Sequence, residues 1–505
     1  HQRHYRLERV MSNLSDLLPS GGGQNIVEFT ASGTIASGKP VILNANGTVT
    51  QVAESPVSEN IGTPVEFDST SSDFNGIAAA YDVNAGKHVI AFRDSDSSNR
   101  GTVVIGTPSG SSISFGTPVV FNSSNSSELD VAYADSLNKF LVHFKNHGDG
   151  NKGAVIVGTV SGTSATFGSL AYYADFAEND GRMVWSTDDN VFVVVWDDDN
   201  NDGESRVGSV SGTSITYGTE VAFHDPGGSN GVSEIGLGYV SNSKVVVAFR
   251  DKDDSNDGKA CVGTISGTSI SWGSAVDFST GRVKHCEVCY DPVVERVLIT
   301  YWDEDNSDYP MIIVGQVSGT SITFGTPVVI NSAGTANATE MVYNTAAAKT
   351  VLYYTQNNNS SNTFSKLVTV SGTTPTLSTA INITSGDYRY FEAALAYNST
   401  DKNVLLAYAG TASPYNGYGL IYTAAYTGTN LTSTNFIGLA DAAISDTATG
   451  KINVKGSINS KQSSLTIGSD YYAQGDGSVS TTSTSPAVKI GQAVTATTIN
   501  MMDLT

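Results

Sequence analysis

A hairpin sequence that recurs along the chain is the feature that most constrains the fold. Each copy begins with Ser-Gly-Thr or Ser-Gly-Ser and continues into a short strand, which usually ends in an aromatic residue and glycine. Copies follow one another at intervals of 50 to 56 residues. A period of this length predicts an array of like units rather than one irregular domain. The copies begin at Ser109, Ser161, Ser211, Ser266, Ser318 and Ser371, with a weaker seventh, TGTNLTST, at Thr427.

Two aromatic positions repeat with the same period. Together with the hairpin they define four short antiparallel strands in each unit, which predicts an all-β, seven-bladed β-propeller with four-stranded blades. Aromatic and β-branched residues fill the space between blades, so we expect these positions to lie in the core. The first set, near the end of strand one, is Tyr81, Tyr133, Trp185, Tyr239, Tyr290, Tyr343 and Tyr397. The second set, which closes strand two, is Phe92, Phe144, Trp196, Phe249, Tyr301, Tyr354 and Tyr408.

The phase of the repeat indicates how the ring closes. The segment 61–67, IGTPVEF, has a fourth-strand sequence with no strands before it, whereas the last unit has three good strands and a divergent fourth. We therefore expect this N-terminal strand to close the last blade, which removes an exposed sheet edge. The predicted propeller spans 60–427.

Composition limits the functions that the chain can have. Its 505 residues suit one large repeat domain plus something smaller. A formal net charge of -22 argues against partners that are nucleic acids or anionic lipid surfaces. No run of 18 apolar residues is present, so we expect no insertion into a membrane. The three cysteines, Cys261, Cys286 and Cys289, are expected to be buried free thiols.

The flanks of the repeat predict a second, smaller β-structure. Residues 24–59 and 428–505 alternate apolar and polar positions and are broken by Asn-Gly, Thr-Gly or Asp-Gly turns. Neither flank is convincing as a domain alone. Residues 1–23 are unlike the rest and are predicted to be an extension or linker.

The flanks resemble a small β-domain of tailed-bacteriophage structural proteins, particularly tail-fibre and appendage proteins. The resemblance rests on MSNLSDLLPSGGGQN, SGKPVILNANGTV, FIGLADAAISDTATGKINVKG and SSLTIGSDYYAQGDGSVS. In such proteins the second and third motifs are nearly adjacent, whereas about 380 residues separate them here. The resemblance therefore implies a propeller inserted into one split β-domain. It also implies a place on the phage particle surface or tail appendage, contact with other virion proteins, and self-association, commonly as a trimer.

The loops between blades supply candidate ligand-binding residues. In a propeller, these loops and those joining strands two and three surround one end of the channel, where binding sites usually lie. Arginine and carboxylates beside aromatic rings suit sugars, although ordinary loop decoration explains such residues equally well. The candidates are Glu178, Arg182, Arg282, Lys284, His285, Tyr388, Arg389 and Tyr390.

Acidic loops between strands two and three offer candidate metal ligands. Two of them place acidic or polar residues at alternate positions before a glycine, which is the spacing that Ca²⁺ ligation requires. The distal glutamate of an EF-hand is missing, and a solvated turn is the alternative. The candidate Ca²⁺ ligands are Asp198, Asn200 and Asp202, and Asp253, Ser255 and Asp257. No other cofactor is expected.

Three functions remain open after the search for catalytic motifs. The repeated hairpin lacks the Asp and Gly of a sialidase Asp box, and no nucleophile elbow, zinc-protease motif or phosphate loop is present. The first hypothesis is a non-enzymatic virion protein that recognises a host-surface glycan or protein through the propeller loop face. The second is a glycan-cleaving depolymerase or glycosidase on the virion, which would need paired carboxylates. The third is a structural or decoration protein with a role in assembly.

Overall fold

A computed structural model describes most of the chain. The described residues are 25–69, 76–95, 97–198, 202–225, 227, 231–332, 335–357, 362–384, 388–410, 416–483 and 486–501, without the side chains of 176, 335–338, 357, 384 and 388–392. The chain divides into two compact units, 1–57 with 426–505, and 58–425. The boundaries expected from the sequence, 59/60 and 427/428, lie close to this division. No helix among the described residues is long and apolar enough to cross a membrane.

The first unit is built from both ends of the chain. Strand β1 pairs with β40, and β2 pairs with β39, so the C-terminal strands β40 and β39 lie between the N-terminal strands β1 and β2 in one sheet. Their apolar faces share one core that includes Val41, Val49, Ile437 and Ile452. The N-terminal strands are β1 (Ile26–Thr30), β2 (Pro40–Leu43), β3 (Val49–Gln51) and β4 (Glu54–Val57). The C-terminal strands are β38 (Tyr426–Thr429), β39 (Phe436–Ala440), β40 (Thr449–Val454), β41 (Ile458–Asn459), β42 (Asp470–Gln474), β43 (Val479–Ser480), β44 (Ala487–Thr495) and β45 (Thr498–Asn500).

The second unit is a series of antiparallel sheets, each made mainly from strands that are consecutive in the chain. Two long strands, β11 and β25, run from the outer strand of one blade into the inner strand of the next. The first strands are β5 (Asn60–Ile61), β6 (Val65–Asp68), β7 (Ile77–Asp82), β8 (Lys87–Asp94), β9 (Arg100–Ser109), β10 (Ser112–Phe115), β11 (Val119–Ala134), β12 (Lys139–Asn146), β13 (Lys152–Ser161), β14 (Ser164–Phe167), β15 (Ala171–Ala177), β16 (Asn179–Ser186), β17 (Val191–Asp197), β18 (Gly203–Ser211), β19 (Ser214–Tyr217) and β20 (Val221–His224).

The remaining strands of this unit continue the pattern. They are β21 (Val232–Ser241), β22 (Lys244–Asp251), β23 (Asp257–Ser266), β24 (Ser269–Trp272), β25 (Val276–Asp291), β26 (Arg296–Asp303), β27 (Tyr309–Ser318), β28 (Ser321–Phe324), β29 (Val328–Val329), β30 (Thr335–Asn344), β31 (Lys349–Asn357), β32 (Asn362–Ser371), β33 (Thr374–Leu377), β34 (Ile381–Thr384), β35 (Tyr388–Asn398), β36 (Asn403–Gly410) and β37 (Gly417–Thr423). Short 3-10 helices lie at Asp135–Leu137, His147–Asp149 and Glu304–Asn306.

Strand pairing sorts these strands into blades, which we number in chain order. The inner strands of blades 1 to 7 are β7, the second half of β11, β16, β21, the second half of β25, β30 and β35. In blade 7, β37 pairs with β5 and β6. The expectation of an all-β propeller, inserted in a split β-unit and closed by an N-terminal strand, is confirmed. The number of blades, seven, stays a prediction from the sequence repeat. The strand pairing agrees with this number.

The core lies between blades. The described residues form an apolar cluster at each junction of neighbouring blades, including the junction of blade 7 with blade 1. The aromatic residues that close strand two are all buried in these clusters, as predicted. Those of the inner strands are less deeply buried, because several of them face the channel. The three cysteines are buried free thiols, as expected.

The repeated hairpin connects neighbouring blades by close contact. The glycine that follows its aromatic residue lies against the Ser-Gly-Thr turn of the next blade, where a Cβ atom would overlap backbone or side-chain atoms of the turn. Gly62 makes the same contact from blade 7 to Ser111 of blade 1. The other pairs are Gly116 with Thr163, Gly168 with Thr213, Gly218 with Thr268, Gly273 with Thr320, and Gly325 with Thr373.

One blade departs from this rule, and the prediction of a seventh hairpin copy in the propeller is wrong. Blade 6 has Ser378 where the other blades have glycine, and the next blade has no such turn, because its fourth strand arrives from residues 60–68. The copy assigned at Thr427 belongs instead to the split unit, where β38 pairs with β4. The absence of a turn in blade 7 explains why a larger residue is tolerated at Ser378.

This contact predicts a specific sensitivity to small side chains. We expect Gly273→Ala to lower the free energy of unfolding by roughly 2 kcal/mol or more, because the new methyl group overlaps the carbonyl oxygen of Thr320. Ser378→Ala is the matched control. It should cost only about 1 kcal/mol, from loss of the 2.9 Å hydrogen bond that the Leu367 N–H donates to Ser378 Oγ. Equal losses in urea unfolding would contradict the assigned contact.

Candidate functional site

Several inner strands share a bulge near the end at which they enter the channel. Strand pairing shifts register there in several blades. The residue at the bulge has a positive φ in each of these, at 54° for Glu128, 51° for Asp180, 56° for Glu234 and 50° for His285. Left-handed backbone is unusual for such residues, and bulges of this kind redirect a side chain. We call this end of the channel, defined by these four residues, the channel mouth.

Carboxylates at the mouth connect one blade to the next. Glu128 Oε2 accepts a hydrogen bond from the Gly181 N–H at 3.3 Å. Asp180 Oδ2 accepts from the Glu234 N–H at 2.9 Å, and Glu234 Oε2 accepts from the His285 N–H at 2.9 Å. The bulge of one blade is thus bonded to the bulge of the following blade, from blade 2 to blade 5. These bonds hold backbone that would otherwise be strained.

A layer of charged side chains lies deeper in the channel. Asp130, Arg182, Glu287 and Glu340 each lie three residues before the inner aromatic residue of their own blade, so they share one level. They line a cavity of about 650 Å³ to which all seven inner strands contribute. Tyr133, Trp185 and Tyr239 line the same cavity. The channel therefore combines a charged layer with aromatic rings.

Arg182 is surrounded by acidic groups. Burial alone would lower the pKa of its guanidinium, but the nearby carboxylates, first Glu287 and then Asp180, raise the pKa above its usual value. Its Nη1 donates to the carbonyl oxygen of Gly181 at 2.9 Å. Arg182 is a fixed positive charge in the middle of an acidic site.

Two of the carboxyl groups hold protons unusually tightly. Burial raises the pKa of Glu287 to about 7, against the opposing attraction of Arg182. Burial also raises the pKa of Asp130, although its Oδ2 accepts from the Met183 N–H at 2.9 Å. A partly protonated carboxyl group beside other carboxylates can exchange protons with a ligand near neutral pH.

A second cluster lies at the rim of the mouth, around Glu304. Its carboxylate pairs with Arg250 Nη1 and Arg282 Nη2, each at 3.2 Å, and with Lys284. Burial by itself would raise the pKa of Glu304, but the three cations outweigh burial, and the pKa lies below its usual value. The Arg282 side chain remains half exposed, at 50%. The acidic loop after β26 thus orders cations contributed by two blades.

The structure brings some of the predicted ligand residues together and separates others. Arg282 and Lys284 meet at Glu304, and the ring of His285 lies 4.0 Å from that of Trp302, measured between centroids. Arg182 lies in the channel. Glu178 is fully buried beneath Gly181, and burial raises its pKa well above the usual range. Glu178 is therefore a core residue that an external ligand does not reach in this conformation.

For the three remaining predicted ligand residues, the structure describes the backbone only. The backbone of Tyr388, Arg389 and Tyr390 belongs to β35, the inner strand of blade 7, but their side chains lie outside the described residues. Their role in ligand binding stays a prediction.

One aspartate of each predicted Ca²⁺ loop already accepts a hydrogen bond from a backbone N–H group. Asp198 Oδ1 accepts from the Asp202 N–H at 2.9 Å, and Asp253 Oδ2 accepts from the Gly231 N–H at 3.0 Å. Asn200 lies outside the described residues, and Ser255 has a φ of 60° in the turn before Asp257. The described part of the chain holds no group of three His, Cys, Asp or Glu side chains arranged for a metal ion. Ca²⁺ binding stays a prediction.

Sequence reasoning missed most of the channel layer. Asp130, Glu287 and Glu340 lie within strands that read as ordinary repeat strands, and Glu304 lies in a loop rich in acidic residues. One signal could have found the first three, because they share with Arg182 a fixed offset from the repeated aromatic position, which small residues occupy in the other three blades. No sequence signal distinguishes Glu304 from its neighbours.

Comparisons with known proteins support the fold. No protein-family model and no curated protein sequence matches the chain. A lectin from Burkholderia pseudomallei aligns with a TM-score of 0.51 at 12% identity, over 71% of this chain and 100% of its own. AofleA from Arthrobotrys oligospora gives a TM-score of 0.40 at 7% identity, over 67% of this chain and 94% of its own. A variant of the Aleuria aurantia lectin in complex with Fucα1-6GlcNAc gives 0.38 at 13% identity, over 62% and 97%. At these values the first likeness establishes a common fold and nothing further.

The raised pKa of Glu287 predicts that replacing this residue stabilises the fold by an amount that depends on pH. The folded pKa, about 7, exceeds that of an unfolded glutamate, about 4.3, so the folded state binds the proton more tightly. Glu287 therefore costs stability increasingly as pH rises through this interval. We expect Glu287→Gln to raise the free energy of unfolding by roughly 1–3 kcal/mol at pH 8.5, and by severalfold less at pH 5.

Urea unfolding at the two pH values checks this prediction. Glu295→Gln is the matched control, because Glu295 is exposed in the turn between β25 and β26 at the opposite end of the same blade. The control should change stability little at either pH. A gain for Glu287→Gln that does not depend on pH would contradict the raised pKa.

Proposed function

We propose that this protein is a non-enzymatic recognition protein that binds a host-surface glycan through the channel mouth of its propeller. The observation that carries the proposal is the convergence of charged and aromatic side chains from separate blades around a cavity of about 650 Å³. A concave site with a few converging polar groups is the usual form of a small-ligand site. The fold shared with a lectin from Burkholderia pseudomallei supports a glycan as the ligand.

Binding and catalysis require different features of such a site. The mouth carboxylates Glu128, Asp180 and Glu234 are already engaged with backbone N–H groups of the next blade. Arg282 and Lys284, by contrast, are partly exposed at the rim and can reach hydroxyl groups of a sugar. This division favours a rigid site that holds a ligand by its rim and channel.

The place of the protein on a phage particle is also part of this proposal. It rests on the tail-fibre-like motifs of the two flanks, which pair with each other to form one split unit. Within the proposal the split unit contacts other virion proteins and assembles as a trimer, and the propeller is presented to the host. A host protein is the alternative receptor.

A glycan-cleaving activity is the second candidate. Glu287, with a pKa of about 7, and Asp130 line one cavity beside Arg182. A protonated and an ionised carboxyl group on opposite sides of a glycosidic bond are what glycosidases use. This candidate predicts release of reducing ends from a bound polysaccharide, with loss of that release in Glu287→Gln.

A glycan array with the full-length protein tests the principal proposal. We expect selective binding that weakens by about tenfold in the double variant Arg282→Ala/Lys284→Ala, because two hydrogen-bonding cations at the rim are lost. The matched control is Lys87→Ala/Lys244→Ala. It removes two lysines from the opposite end of the blades, where they contact Thr107 and Thr264.

The possible outcomes separate the hypotheses. Equal weakening in both double variants would indicate nonspecific charge effects and contradict a site at the mouth. Binding followed by release of reducing ends would favour the glycosidase. No binding by a folded protein would contradict glycan recognition and leave a protein receptor or an assembly role.

A further inference from the structure

We propose that the central channel binds a sugar unit that carries a protonated amine, distinct from the contacts at the rim. The inference deepens the proposed function and rests on it, since it assumes that the propeller recognises glycans. It names the charge class of the ligand and the residues that select it. The argument depends on the charges that line the cavity and on a polar group there that lacks a partner.

The charge of the cavity excludes an acidic ligand. Five carboxyl groups and one guanidinium line it, from Glu128, Asp130, Asp180, Glu287, Glu340 and Arg182. Lys145 offsets the charge of Glu128, with which it pairs at 3.2 Å, and the remaining carboxyl groups still outnumber the one guanidinium even when Glu287 is protonated. A uronic acid, a sialic acid or a phosphate group would meet repulsion from several sides, whereas an ammonium group is attracted.

Arg182 does not reverse this preference. Its charge is balanced by the surrounding carboxylates, which stabilise the guanidinium more than burial destabilises it. An anion that paired with Arg182 would have to displace carboxylates fixed in the same layer, such as Asp130, which is held by the Met183 N–H. Arg182 thus orders the acidic groups rather than offering a free cation to a ligand.

One polar group at the cavity, the indole N–H of Trp185, lacks a partner among the described residues. Trp185 lines the cavity and is only 6% exposed, yet its indole N–H has no hydrogen-bond acceptor among the described residues. A buried donor without a partner costs about 1–3 kcal/mol, and a ligand hydroxyl that approached it would recover part of this. Glu287 lines the same cavity, where the Val288 N–H and the charge of Arg182 stabilise its ionised carboxyl group. A donor and an acceptor therefore lie in one cavity.

The shape of the cavity fits a sugar ring. Its volume of about 650 Å³ lies within the range of small-ligand pockets. The rings of Tyr133 and Tyr239 line its wall, and their hydroxyl groups are already bonded, to Asn84 and Asp188. Aromatic faces attract both the C–H face of a sugar and an ammonium group. An amino sugar satisfies the carboxylates, the aromatic rings and the indole donor together.

A series of sugars that differ only in charge tests the proposal. The probes are glucosamine oligomers, N-acetylglucosamine oligomers and glucuronic acid oligomers, titrated calorimetrically into the full-length protein at pH 7.5. We expect the glucosamine oligomers to bind most tightly and the glucuronic acid oligomers to show no binding. Glu287→Gln should weaken glucosamine binding by about tenfold, because one charge-assisted hydrogen bond is lost.

Two further variants keep the test decisive. Glu340→Gln removes a second carboxylate of the same layer and should also weaken glucosamine binding, which covers the case in which Glu287→Gln fails to fold. Glu295→Gln is the same substitution at the opposite end of blade 5 and should leave binding unchanged. Melting temperatures of all variants confirm that each is folded.

The outcomes distinguish this inference from the proposed function. Binding of glucosamine oligomers that is unchanged in both channel variants would overturn the channel site but leave glycan recognition standing. Preference for N-acetylated or acidic oligomers would overturn the amine preference, again without affecting recognition. If no oligomer binds and the glycan array is also empty, the inference and the proposed function fail together.

Discussion

Burial of apolar surface between neighbouring blades is the interaction on which the rest of the structure depends. A single four-stranded sheet of this chain is apolar on both faces and has no interior of its own. Each junction therefore needs both of its blades, and the ring must close for the first and last blades to be covered. Closure brings Phe67 and Phe92 together with residues of blade 7 in one cluster. The strand that completes blade 7 comes from before blade 1, so closure also fixes the two chain segments.

This closure explains how one chain can contain a propeller inside another β-unit. Asn60, at the start of β5, pairs with Thr423, at the end of β37. The segments that enter and leave the propeller are therefore neighbours in the same blade. Insertion into another unit is tolerated when the ends of the inserted part lie close together. Closure by an N-terminal strand also explains the exception among the hairpin glycines. Blade 7 has no Ser-Gly-Thr turn, so Ser378 of blade 6 can replace the glycine that contacts such a turn in the other blades.

The channel mouth shows how a structural device can also shape a site. Bulges at Glu128, Asp180 and Glu234 turn carboxylates toward the next blade, where they accept backbone hydrogen bonds. The same turns place a layer of charged residues at one level of the channel, where burial raises the pKa of Glu287 to about 7. Under the proposed function, stability and ligand selection draw on the same strands, and the two roles are separated by position along each strand.

The sequence by itself determined the all-β propeller, the strand that closes it and the pairing of the two flanks. The strands of each blade are local features, because periodic aromatic residues and turns report directly on strands of fixed length. The closing strand follows from the phase of the repeat, and the split unit from the resemblance of the flanks. Only the tertiary structure decided which charged residues meet. Glu287 and Asp130 are 157 positions apart in the chain but line one cavity, while Glu178, close to Arg182 in sequence, is buried away from it. Radial packing brings equivalent positions of distant blades together, and a bulge decides which side chain faces the channel. Neither effect can be read from the spacing of residues along one strand.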